Sequence, residues 1–443
     1  MGLNNIDISS KFKLIFRSLK YRNYRLFFEG QSISLIGTWM QRIALPWLVY
    51  RMTGSAFLLG LIGFAGQIPT FLLAPFAGVI TDRFNRYKVL LVTQIIAMIQ
   101  AFILAFLTLR GDIRLWQIIA LSIVLGCVTA FDVPSRHSFV VEMVEKKEDL
   151  GNAIALNSMM FNGARLIGPS IAGVILAVTS EGVCFLINAL SFIFVIVSLL
   201  MMKVNNKEKL VRKSRILTDM KDGFSYAFGY APIEHILLLL GLVSLMGASY
   251  QVLMPVYAKE VLKGGSEIFG FLMGAAGLGA VLAALYLASR ETVVKLGRII
   301  PIAAGIAGGA LTILSILNFL PLTLLLMILI GFGLMLHTAS SNTILQTITD
   351  DDKRGRIMSF YTMSIMGIAP FGSLIAGVLA RTFGTRLTFL AGGIACLTGA
   401  YFFYRKLPVL KKIVRPIYVK MGLIPEIVAG IHAASEPDFQ TKS

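Results

Sequence analysis

Apolar residues gather into long runs separated by short polar stretches. Twelve runs are legible, at about 26–50, 55–80, 89–109, 115–134, 151–178, 182–202, 233–257, 266–289, 296–317, 320–345, 356–380 and 384–404. A helix needs about 20 largely apolar residues to cross the hydrocarbon of a bilayer. Barrel strands would alternate apolar and polar positions, and these runs do not. The pattern predicts an all-α membrane protein with 12 transmembrane helices. The longest internal polar segment, about 203–232, leaves six runs on either side of it. The expected organisation is a basic amphipathic arm (1–23), a six-helix half (24–202), a central linker (203–232), a second six-helix half (233–405) and a basic tail (406–443). Gly168-Pro-Ser-Ile-Ala-Gly-Val174 is echoed by Gly372-Ser-Leu-Ile-Ala-Gly-Val378. That echo predicts two six-helix pseudo-repeats. Parallel repeats place a substrate site between the halves, near the midplane.

Composition sharpens the picture. Of 443 residues, 56% are hydrophobic and 14% charged, more apolar surface than a water-soluble globule can hide. The net charge of +18 would point to nucleic acid on a soluble chain. Here it follows topology, and no nucleic acid partner is expected. Most of the 41 Lys and Arg fall in alternate loops and both termini. Only Arg51, Arg110, Arg114, Lys259, Lys263, Arg381 and Arg386 fall in the opposite loops. The positive-inside rule then makes both termini cytoplasmic, and the basic surface meets anionic lipids. In the arm, Phe12, Leu14, Ile15, Phe16 and Leu19 alternate with Lys11, Lys13, Arg17 and Lys20, as in an interfacial helix. Cys127, Cys184 and Cys396 lie in apolar runs and read as small hydrophobes. No cleavable signal is expected, because the first apolar run is too long for a signal-peptide core.

Polar residues inside the runs are the candidates for chemistry, since each is costly there. Arg165 falls near the middle of the fifth run, with Asn157 and Asn162 one to two turns earlier. It would bind an anionic substrate, tune a proton-carrying acid, or anchor two helices. The first run carries Glu29, Gln31, Ser32, Ser34, Thr38, Trp39, Gln41 and Arg42, a stripe fit for a cavity wall. Glu29 is either a protonatable acid or a snorkelling interfacial residue. His337, Asn342 and Gln251 are further candidates for the substrate and proton pathway, His337 as a relay or as a helix-packing hydrogen bonder. In the fifth run, Gly168, Pro169 and Gly173 combine close packing with a permitted kink, as a gating helix would. No phosphate-binding loop, catalytic triad or metal constellation is legible, so an enzyme, a cofactor or an ATP-driven pump is not expected.

Between the second and third runs lies Gly78-Val-Ile-Thr-Asp82-Arg83-Phe-Asn-Arg86-Tyr-Lys88. This loop resembles the signature of the major facilitator superfamily. The resemblance implies the major facilitator fold and secondary transport by alternating access. It also implies that Gly78, Asp82, Arg83 and Arg86 belong to a latch of the outward-facing state, with Asp132 as the expected partner of Arg83 or Arg86. Ser34–Arg42, Leu45–Ser55, Pro134-Ser-Arg136 and Asn152–Ser158 narrow the likeness to the bacterial branch of enterobactin exporters and macrolide efflux proteins. That branch implies proton-driven export of a siderophore or drug by a monomer in the bacterial cytoplasmic membrane. Two positions depart from it. Thr38 stands where members often carry an acid, and Ser122 stands where many proton antiporters have an arginine. An importer or uniporter of a polar metabolite, and a non-transporting sensor on the same fold, are the rival expectations.

Overall fold

The computed structural model of the protein describes residues 16–83, 85–203, 225–290, 292–350 and 353–421, with the side chains of 74–76, 78–83, 147 and 420 outside that description. Among the described residues, twelve long helices follow one another. They are α1 (Arg22–Thr53), α2 (Ala56–Arg83), α3 (Arg86–Leu109), α4 (Leu115–Met143), α5 (Lys147–Val178) and α6 (Glu181–Leu200). Next come α7 (Ala231–Val261), α8 (Ser266–Ala288), α9 (Leu296–Ile316), α10 (Leu320–Ile348), α11 (Arg354–Phe383) and α12 (Thr385–Lys420). Eleven are long and apolar enough to cross a membrane. The exception is α1, whose stripe of Glu, Gln, Ser and Arg dilutes its apolar content, although its 32 residues extend about 48 Å.

The helices pack in two groups. In the first, α1 lies against α5 and α6, α3 against α4 and α6, and α2 against α4. In the second, α9 and α12 pack together, as do α8 and α10, α9 and α10, and α7 and α12. Two seams join the groups, α5 with α8 and α2 with α11. Glycines make both seams close enough for backbone contact. A Cβ on Gly60 would stand 2.6 Å from the Ser373 carbonyl oxygen, and one on Gly173 would stand 2.9 Å from the Gly270 Cα. A further close approach on the α5–α8 seam sets Gly277 against Arg165 and Leu166. The hydrophobic core tells the same story. One buried cluster runs across both groups, whereas a second, built from residues 21–202 and including Tyr24, Phe27, Leu90 and Leu199, stays within the first. Among the described residues, the close contacts between the groups therefore gather toward the end opposite the basic loops.

The joined end is also sealed by side chains. The Tyr50 hydroxyl donates to Glu260, and Lys259 lies 5.6 Å from the centre of the same ring. Trp47 stacks on Phe269 at 6.0 Å, and Arg381 sits 5.8 Å from the Phe57 ring. At the basic end the described ion pairs each stay inside one group: Arg86 with Glu142, Asp132 with Arg136, and Arg17 and Lys20 with Asp149.

Local structure departs from the run pattern in four helices. α4 continues through Pro134 to Met143, and α12 continues through Pro408 and Pro416, past the expected boundary at 405. Buried Leu407, Leu410, Val414 and Tyr418 recur at helical spacing and hold that extension against the second group. α7 and α11, read as uninterrupted runs, each widen into π-helical turns, at Val243–Gly247 and Tyr257–Val261 in α7 and at Met363–Gly367 in α11. The arm's described end is a 3-10 turn, Arg17–Lys20, pinned to the start of α5, with the Ser18 hydroxyl donating to the Asp149 carbonyl at 2.9 Å. Arm residues 1–15, linker residues 204–224 and tail residues 422–443 lie outside the described residues.

Candidate functional site

Trp39 organises the middle of the molecule. It sits on α1 where Gly168 of α5 lets the two helices touch, since a Cβ on Gly168 would come within 2.5 Å of the Trp39 Cβ. Two guanidiniums share its indole. Arg42, one turn along α1, lies 4.8 Å from the ring centre, and Arg165 of α5 lies 5.8 Å from it. Phe161 closes a further side, edge to face at 5.7 Å. Arg42 is exposed and Arg165 half-buried, and the two repel each other.

Charge balance is the notable property of this cluster. An arginine at mid-membrane costs about 2.5–3.5 kcal/mol on insertion scales, while a cation–π contact returns about 0.5–2 kcal/mol. Among the described residues, no carboxylate pairs with Arg42 or Arg165. Arg136 of α4 adds to the positive field at Arg42. From the second group, Tyr250 of α7 lies within electrostatic range of Arg165 and is only 1% exposed. Such a site combines two forked cations with an aromatic face. It is suited to an anion with an apolar body.

The other candidates fall in different surroundings. The Thr38 hydroxyl donates to the Ser34 carbonyl at 2.9 Å, and the Asn162 amide donates to the Ser158 carbonyl at 2.9 Å, each within its own helix. Asn157 is half-buried, and half-buried Gln251 is the chain neighbour of Tyr250. Asn342 accepts a hydrogen bond from Gln346. His337 is fully buried, with Nδ1 3.2 Å from the Ile300 carbonyl oxygen on α9 and Nε2 unpartnered. Glu29 is exposed near the start of α1. The central cluster thus brings together Arg42 and Arg165 from the expected set.

At the expected latch, Asp132 is 5% exposed and accepts from Gln94 at 2.6 Å, from Thr93 at 3.2 Å and from Arg136. The described arginine at Asp132 is Arg136, one turn along its own helix, and Arg86 donates to Glu142 at 3.0 Å. Gly78, Asp82 and Arg83 belong to α2, and their side chains lie outside the described residues. α5 runs unbroken through Pro169, and Gly168 and Gly173 serve close approach to α1 and α8. Sequence reasoning missed Tyr250, Phe161 and the Tyr50–Glu260 closure. Trp39 three residues before Arg42 was the one available signal, since that spacing puts ring and cation on the same helix face.

Comparison with known proteins adds the family. The chain matches, over residues 15–417, the model of a family described as transmembrane secretion effector. It is 27% identical to the staphyloferrin A transporter of Staphylococcus aureus (strain NCTC 8325 / PS 47), over 86% of this chain and 96% of that protein. It is 24% identical to the multidrug efflux pump Tap of Mycolicibacterium fortuitum, over 79% and 87%. To the macrolide efflux protein A of Streptococcus pyogenes it is 21% identical, over 85% and 96%. Among solved structures, a POT family transporter in complex with 5-aminolevulinic acid superposes with a TM-score of 0.70 at 12% identity, covering 88% of this chain and 96% of that one. A bacterial homolog of the human lysosomal transporter Spinster, inward-facing and unoccupied, gives a TM-score of 0.65 at 13% identity, covering 89% and 98%. At these identities the structures speak for the fold alone.

Proposed function

The chain belongs to the transmembrane secretion effectors of the major facilitator superfamily, and on that premise we propose that it exports small amphipathic anions, siderophore or drug, by proton-coupled alternating access. It is a transporter and not an enzyme, as its relatives are. The observation that carries the cargo reading is the pair Arg42 and Arg165 on one indole, with no acid paired to either among the described residues. A cargo carboxylate or phenolate would neutralise them, and its apolar part would lie on Trp39 and Phe161. The seal at Tyr50–Glu260 and the gathering of the described contacts away from the basic loops fit a conformer that loads from the cytoplasm, the side to which the positive-inside rule assigns those loops. The names of the relatives, a siderophore transporter and two efflux pumps, support the same direction. For the coupling proton, Glu29 and His337 are the proposed carriers. The pseudo-repeat, with a midplane site between 24–202 and 233–405, is the arrangement this mechanism uses.

The test is transport by the purified protein in liposomes, with an acidic siderophore compared with a neutral macrolide. Arg42→Ala and Arg165→Ala are each expected to weaken handling of the acidic cargo about 10- to 100-fold, the equivalent of losing one charge-assisted contact of about 1.5–3 kcal/mol. A proton gradient is expected to drive accumulation, and Glu29→Gln or His337→Gln to abolish that drive. Equal transport of both cargoes by the arginine variants would remove the anion reading, and accumulation indifferent to the gradient would remove the antiport reading.

A further inference from the structure

A second cationic site lies away from the central cluster, at the basic end of the second group. A cavity of about 330 Å³ opens between the starts of α7 and α9, α10, and the extension of α12. Four cations line it: Lys295, Arg298, Lys411 and Arg415. No acidic residue lines it, and among the described residues none of the four forms an ion pair. Arg298 and Lys411 are close enough to repel each other. Lys411 and Arg415 are one turn apart on α12 and so share a face. Gathering like charges without a counter-charge is unfavourable unless an anion completes the site.

The depth of the four cations says which anion. α12 begins at Thr385. At 1.5 Å per residue, Lys411 lies about 39 Å along it, beyond the roughly 30 Å of hydrocarbon and within the head-group layer. Lys295 and Arg298 flank the first turn of α9, at the same level. The rest of the lining is largely apolar, and part of it lies on the membrane side of the cations, with Phe403 and Leu407 earlier on α12. Cations above and apolar side chains below match a phospholipid standing in its leaflet, with its phosphate among the four side chains and an acyl chain toward Phe403 and Leu407. A soluble anion would use the upper part only.

We propose that this cavity binds an anionic phospholipid of the leaflet at the basic face, and that the lipid ties the starts of α7 and α9 to the α12 extension. The proposal is independent of the cargo reading. It is tested with the full chain, delipidated in detergent, by native mass spectrometry and thermal unfolding. The probes are palmitoyl-oleoyl phosphatidylglycerol, phosphatidylcholine with the same chains, and inorganic phosphate. Phosphatidylglycerol is expected to remain bound at least fivefold more than phosphatidylcholine and to raise the unfolding temperature. Lys411→Gln with Arg415→Gln is expected to remove that preference. Arg405→Gln with Lys412→Gln, on the same helix but outside the cavity, loses the same charge and is expected to keep it. The proposal is overturned by equal retention of the two lipids. It is equally overturned if both double variants lose binding alike, if the cavity variant behaves as wild type, or if inorganic phosphate alone gives the full stabilisation.

Discussion

Trp39 and the two arginines around it show how one ring gathers two cations inside a helix bundle. An indole offers a face to cations without supplying charge, so Arg42 and Arg165 are positioned yet left free to bind. Replacing the ring separates these roles. Trp39→Ala is expected to weaken cargo affinity about tenfold, and Trp39→Phe less, in a binding titration with the purified protein; unchanged affinity for both would mean that the ring only packs. Arg165 was legible from its place in an apolar run, because a lone charge there always demands an explanation. Tyr250 was not, since one tyrosine among apolar residues has no distinguishing pattern until α7 is placed opposite α5. Asp132 is instructive too. Its acid and the basic residues nearby were visible, but which arginine it meets depends on helix rotation, and Arg136 holds it.

At the level of elements, glycine governs the two seams. Gly173 and Gly270 bring α5 and α8 into backbone contact, as Gly60 and Gly377 do for α2 and α11. Gly270→Val is expected to wedge the first seam. Overpacking of about 1–3 kcal/mol at a contact made only in this conformer would favour the state open at the other end. The readout is the labelling rate of Ser170→Cys, on the same seam, by a membrane-impermeant maleimide; it should rise about tenfold with Gly270→Val, and no rise would mean that the seam does not open in the cycle. The helices themselves were legible because a spanning run is long and continuous. Their interruptions were not. The π turns in α7 and α11 arise where neighbours and prolines pull one turn wider, and hydropathy carries no trace of that. Nor did hydropathy reveal the end of α12, where charge at 405–415 hid a buried stripe.

For the whole molecule, the decisive fact is that the described contacts between the groups gather at one end. Tyr50–Glu260 is the polar closure of the joined end. A hydrogen bond to a charged group is worth about 1.5–3 kcal/mol, so Tyr50→Phe is expected to raise the population open at that end about 10- to 100-fold. Spin-label distances between Arg51→Cys and Lys263→Cys would report it as a longer component, and an unaltered distance distribution would assign the seal to Trp47 and Phe269 instead. By itself the sequence determined an all-helical membrane protein of many spanning runs, basic residues concentrated in alternate loops and an arginine inside the fifth apolar run. These follow from the free energy of each residue against lipid or water, which is local and additive along a run. Only the tertiary structure decided that Arg42 and Arg165 share one ring, that Asp132 pairs with Arg136, and where the described contacts between the two groups gather. Those outcomes depend on how helices rotate and approach one another, and that is set by side-chain packing between segments far apart in the chain.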